Sequence, residues 1–92
     1  MYIVFHSKKF KKALQKIERS GRFPIEEIRN IILKIATGEK LEEKYQDHKL
    51  KGGMSEQREC HIKNDLLLVY ELNKKELILL TIDINTHSGL FK

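Results

Sequence analysis

A single cysteine, Cys60, stands in the whole sequence, so no disulfide forms within the chain and a cysteine-rich zinc site is excluded. Cys60 then reads as a small buried hydrophobe. Tryptophan is absent, proline occurs once and glycine five times, which leaves no proline- or glycine-rich linker from which a second domain would hang. No run approaches the roughly 20 apolar residues that a bilayer requires. The opening "MYIVFHSKKF" places its apolar residues before its positive charges, the reverse of a secretory signal. A cytoplasmic protein with no membrane partner is the expectation. Acidic residues are scarce too: 13 Asp and Glu face 18 Lys and Arg, for a net charge of +5. That excess favours an acidic partner, either nucleic acid or an anionic protein.

What remains is enough for one folded domain over residues 1–92. The chain is 40% hydrophobic and 34% charged, too apolar for disorder and too short for two cores. "MYIVFH" reads as a strand ending at Ser7, a residue able to cap a helix. Phe10, Ala13, Leu14 and Ile17 follow at helical spacing until Gly21. A second helix is expected from Pro24, with Glu26 and Glu27 at its positive end and an apolar stripe of Ile25, Ile28, Ile31, Ile32 and Ile35 up to Gly38. Residues 39–57 have no clear period and read as a long loop. Three strands are expected after it, at Arg58–Lys63, Leu66–Leu72 and Glu76–Ile84, joined by hairpin turns at Asn64-Asp65 and at 73–75. In the first of these, Cys60 and Ile62 alternate with Glu59, His61 and Lys63, so His61 points away from the core.

Four histidines carry the chemistry on offer. His6, at a strand-to-helix junction, reads as structural. His48 lies in the loop, His61 on the polar face of a strand, and His87 after the last strand; Asp65 stands in a turn. Should the sheet gather them at one end, two chemistries stay open. One is metal ligation, against which stand the lysine-rich surroundings and the lack of short ligand spacing. The other is proton transfer on RNA, whose 2′-hydroxyl needs a base and whose departing 5′-oxygen needs an acid, with Lys49, Lys51, Arg58 and Lys63 holding phosphates. No Ser-His-Asp or Cys-His spacing, phosphate loop or dinucleotide fingerprint appears.

The stretches "QDHKLKGG", "RECHIKNDLLLVYEL" and "THSGLF", in that order and spacing, resemble the YafQ branch of the RelE/ParE toxin superfamily. The resemblance implies an α+β, β-α-α-β-β-β fold with a two-helix hairpin on a twisted antiparallel sheet. It also implies the toxin of a type II toxin–antitoxin pair: an endoribonuclease that cuts mRNA on the ribosome without metal or small-molecule cofactor and is neutralised by a cognate antitoxin. The matched catalytic positions are His48, His61, Asp65 and His87, with His87 as general acid and His48 as general base. Phe91 lies next to them, able to stack on a base. Met54 and Asp83–Asn85 depart from the family pattern, which commonly has Trp at the first and a glycine in the second. Two rival functions remain: a ParE-like toxin that binds gyrase without cutting RNA, and a plain basic RNA-binding module.

Overall fold

A computed structural model describes residues 1–50, 57–63 and 65–86. The chain runs β1 (Ile3–His6), α1 (Lys8–Ser20), α2 (Ile25–Ala36), a 3-10 turn (Glu43–Tyr45), β2 (His48–Lys49), β3 (Gln57–Lys63), β4 (Leu66–Asn73) and β5 (Ile78–Thr86). The five strands form one sheet in the order β1-β5-β4-β3-β2. The α+β class and the two helices on a sheet agree with the sequence reading.

Local chemistry explains where the helices begin and end. Ser7 adopts an extended backbone, and its hydroxyl accepts the Phe10 N–H, which satisfies one of the orphan donors of the first turn of α1. Gly21 closes α1 at φ 65°, a left-handed conformation that a side chain resists. Pro24 caps α2 with its fixed φ, and Glu26 and Glu27 sit in the positively polarised first turn. Phe10, Ala13 and Ile17 of α1 and Ile28, Ile31 and Ile35 of α2 are buried against Cys60, Ile62, Leu66, Leu68, Tyr70, Leu79 and Ile84 of the sheet. Each large apolar side chain so buried contributes about 1.5–3 kcal/mol relative to exposure.

The sheet differs from the antiparallel expectation at both edges. β1 pairs with β5 in parallel, Ile3 opposite Ile78 and His6 opposite Thr81, so the sheet is mixed. At the other edge the loop read from residues 39–57 contains the 3-10 turn and the two-residue β2, antiparallel to β3. β5 also starts and ends two residues later than expected, because residues 74–77 form the turn, with Leu77 left-handed at φ 56°. Helices cover one face of the sheet. The other carries His48, Glu59 and His61.

Candidate functional site

The open face is organised by register. His48 on β2 lies directly across from Glu59 on β3, which faces Val69 on β4, which in turn faces Asp83 on β5. One pleat further on, His61 faces Leu67, and Leu67 faces Asn85. His48 and His61 are therefore diagonal neighbours, with Cα atoms about 7–8 Å apart for such pairs. At the same end of the sheet Asp65 occupies the β3–β4 turn, and Leu66 pairs with Thr86, the last described residue of β5. Register thus places His61, Asp65 and the end of β5 toward one end of the sheet, with His48 beside Glu59 on the edge strand β2, separated from β5 by β3 and β4. His87, Phe91 and Lys51 lie outside the described residues.

Both ring nitrogens of His48 are oriented. Nδ1 is 2.7 Å from the Gln46 carbonyl, which only accepts, so Nδ1 carries a proton. Nε2 is then the nitrogen that exchanges, and it sits 3.5 Å from Glu59 Oε1. The carboxylate is placed to steady a positive charge when Nε2 takes up a proton. Glu59 had a signal in the sequence, since it shares the parity of His61 two residues away. Its partnership with His48 did not, because that depends on the β2–β3 register.

Of the expected phosphate-holding cations, Arg58 and Lys63 do not share this face. Arg58 alternates with Glu59 and so points to the helix side, where Nε and Nη2 bind Asp47 Oδ1 and Oδ2 at 3.3 and 3.2 Å. Arg58, expected to hold phosphate, is instead engaged by Asp47, because the period of two in β3 puts it on the face of Cys60. Lys63 follows an irregularity between His61 and Lys63 and reaches Glu27 of α2 at 3.4 Å, again on the helix side. Lys49 is opposite Arg58, exposed at the sheet edge one residue from His48. Among the described residues, no group of three His, Cys, Asp or Glu side chains is gathered so as to hold a metal ion.

Asp47 is the neighbour of His48 that the sequence did not single out. Its carboxylate receives the Arg58 fork and the Tyr70 hydroxyl at 2.5 Å, and Tyr70 is buried in the core. Burial, and then the bond to Asp47, push the Tyr70 phenol well above its ordinary range, so it stays a donor. Gln46, just before Asp47, is left-handed at φ 48°, a conformation that costs a side-chain-bearing residue about 1–2 kcal/mol. His6 has the structural part expected of it, though with polar company: Nδ1 bonds Thr81 Oγ1 at 2.6 Å and the ring stacks on Phe10 at 4.9 Å. Burial, and then the Lys11 ammonium, lower its pKa.

Comparison with known proteins bears on this geometry. A family model described as bacterial toxin of type II toxin–antitoxin system, YafQ, matches residues 2–92. A crystal structure of a metal-bound toxin from Helicobacter pylori is 41% identical, covers 98% of this chain and 99% of its own, and superposes with a TM-score of 0.89. A copper-bound mutant toxin from the same organism is 34% identical over 98% and 99%, with a TM-score of 0.87. The Escherichia coli DinJ-YafQ complex, 22% identical over 100% of both chains, shares the fold at a TM-score of 0.83. None of the curated proteins compared matches the chain.

Proposed function

Because the chain belongs to the YafQ family of type II toxin–antitoxin toxins, we propose that it is an mRNA endoribonuclease acting on the ribosome and held in check by a cognate antitoxin. The observation that carries the reading is the orientation of His48: Nδ1–H is fixed on the Gln46 carbonyl and Nε2 is presented on an open face beside His61. A group so held is built to move a proton.

In the reaction proposed, Nε2 of His48 takes the proton of the 2′-hydroxyl as that oxygen attacks the adjacent phosphorus. The bond from phosphorus to the 5′-oxygen breaks, and the leaving oxygen takes a proton from His87. The products are a 2′,3′-cyclic phosphate and a free 5′-hydroxyl. Glu59 steadies the imidazolium of His48 once it has formed. His61 and Asp65 position the phosphate and the nucleotide, Phe91 stacks on a base, and Lys49 with Lys51 meets the RNA backbone at the sheet edge. Although relatives from Helicobacter pylori are described as metal- and copper-bound, the donors described here make a pair, Nε2 of His48 and Oε1 of Glu59, and no step is routed through a metal.

The helix surface supports an acidic partner. Lys8, Lys9, Lys11, Lys12 and Lys16 are exposed along α1, and its first turn has no acidic residue. Lys8, Lys9 and Lys11 stand in the first turn, where the helix dipole disfavours cations by about 0.3–1 kcal/mol each, and of these Lys9 is offset by an ion pair with Asp83 at 3.4 Å. The surface so formed suits an acidic antitoxin segment. Encounter with it should slow steeply between about 50 and 500 mM salt, as the Debye length falls to a few ångströms.

Incubation with translating ribosomes, followed by mapping of mRNA ends, tests the activity. New ends at codon-linked positions are expected. Intact mRNA alongside inhibited supercoiling by gyrase would favour the ParE-like alternative instead, and intact mRNA with RNA binding alone the basic-module one.

A further inference from the structure

We propose that Asp47, Arg58 and Tyr70 form a clamp on the helix side of the sheet whose function is to position His48 on the opposite side. The inference rests on the proposed role of His48 for its consequence in catalysis, though not for its geometry.

β2 has two residues and lies at the sheet edge, so its ladder alone is a weak anchor. The chain enters it through a 3-10 turn in which the Tyr45 and Gln46 N–H groups donate to the Glu42 and Glu43 carbonyls, then through the left-handed Gln46. Such a conformation persists where its surroundings over-determine it. Here the surroundings are three hydrogen bonds to Asp47 from two side chains. The Tyr70 hydroxyl donates to Oδ1 from within the core, and Arg58 donates side-on to both oxygens from the neighbouring strand, a planar two-point grip that fixes direction as well as distance. Tyr70 and Arg58 are themselves cross-strand partners. Their two donors are therefore set by the sheet rather than by the loop.

Strand alternation does the rest. With Asp47 pinned on the helix side, the next residue must project to the open side, opposite Glu59. The residue before it must turn its carbonyl to the His48 ring, where it holds Nδ1–H at 2.7 Å. The clamp thereby selects the Nδ1–H tautomer and leaves Nε2 for the substrate. Free histidine prefers the other tautomer, so the selection is measurable. Arg58 thus acts through Asp47, as a positioning residue and not as a phosphate ligand.

Tyr70→Phe removes one hydroxyl and leaves the ring in the core; Arg58→Gln removes the fork from the other side. Two readouts apply to the full-length toxin. The first is ring nitrogen NMR of His48 above its titration: wild type should show protonated Nδ1, and both variants should move toward the Nε2–H form. The second is ribosome-dependent cleavage: kcat should fall about 10–100-fold, as for a displaced catalytic group, with KM nearly unchanged. A raised KM with unchanged kcat in Arg58→Gln would show a direct RNA contact and overturn the proposal. An unchanged tautomer in both variants would overturn it whatever cleavage shows. If wild-type toxin cuts no mRNA while the tautomer still shifts in the variants, the clamp stands and the nuclease reading falls.

Discussion

Ser7 joins α1 to β5 through one hydroxyl, and Ser7→Ala should measure that joint. The oxygen accepts the Phe10 N–H at 2.9 Å as the cap of α1, and its hydrogen goes to the Ile82 carbonyl at 2.7 Å. Ile82 is the residue left over where the β4–β5 register shifts, since Tyr70 pairs with Thr81 and Val69 with Asp83. Loss of a serine cap costs about 1 kcal/mol. Loss of the second bond costs about another 1 kcal/mol, because the part-buried Ile82 carbonyl loses its serine partner. The sum is about 2 kcal/mol, which in a domain of this size corresponds to a fall in melting temperature of about 8–16 °C. Equilibrium urea unfolding and calorimetry should both show it, with an unchanged m-value because the same surface is exposed on unfolding. Ser7→Thr, which keeps the hydroxyl, should lose less than half as much. A loss below about 0.5 kcal/mol in Ser7→Ala would refute the view that this hydroxyl ties α1 to the sheet.

Leu77 is exposed and left-handed at the entrance to β5, so Leu77→Gly should stabilise by about 0.5 kcal/mol, the relief of strain less the added entropy of the unfolded chain, seen as a higher urea midpoint. Burial, and then the carboxylates of Asp47 and Glu59, push the Cys60 thiol up to about 12, and Tyr70 is raised as well. Both groups are neutral in the folded protein and ionise more readily when unfolded. Their contribution is therefore complete below pH ~8.5, near the unfolded thiol value, and is lost as pH rises toward the folded values. Above pH ~10 the two together should remove up to about 3 kcal/mol per pH unit; urea midpoints that stay flat from pH 8 to 11 would contradict this. In the same range a thiol reagent should modify Cys60 only as fast as the chain opens.

Sequence and structure agree where the signal is local. The Ser7 cap, the Gly21 stop and the isoleucine stripe of α2 each depend on a few neighbouring residues, and all three stand where spacing put them. The parallel pairing of β1 with β5 joins residues 75 positions apart, as in the His6–Thr81 contact, and no local period encodes a partner at that range. β2 is too short to show alternation at all. Arg58 is a different case: alternation with Cys60 and Ile62 places it on the core side, while its charge grouped it with the phosphate-holding lysines, and its partner Asp47 could not be read from spacing. Asp47 carried no signal, since nothing in "YQDHKL" shows that a buried tyrosine 23 residues on will hold its carboxylate.

The central claim is proton transfer by imidazole on the 2′-hydroxyl, and the chemistry of the cut ends tests it most directly. Toxin freed of metal by chelation should be added to mRNA-programmed ribosomes kept in their own magnesium, beside His87→Ala and His48→Ala. The account predicts 2′,3′-cyclic phosphate and 5′-hydroxyl ends from wild type, and a loss of about 10²–10⁴ in rate in each folded variant. Ends bearing a 3′-hydroxyl and a 5′-phosphate, or near-normal cleavage by either variant, would contradict it.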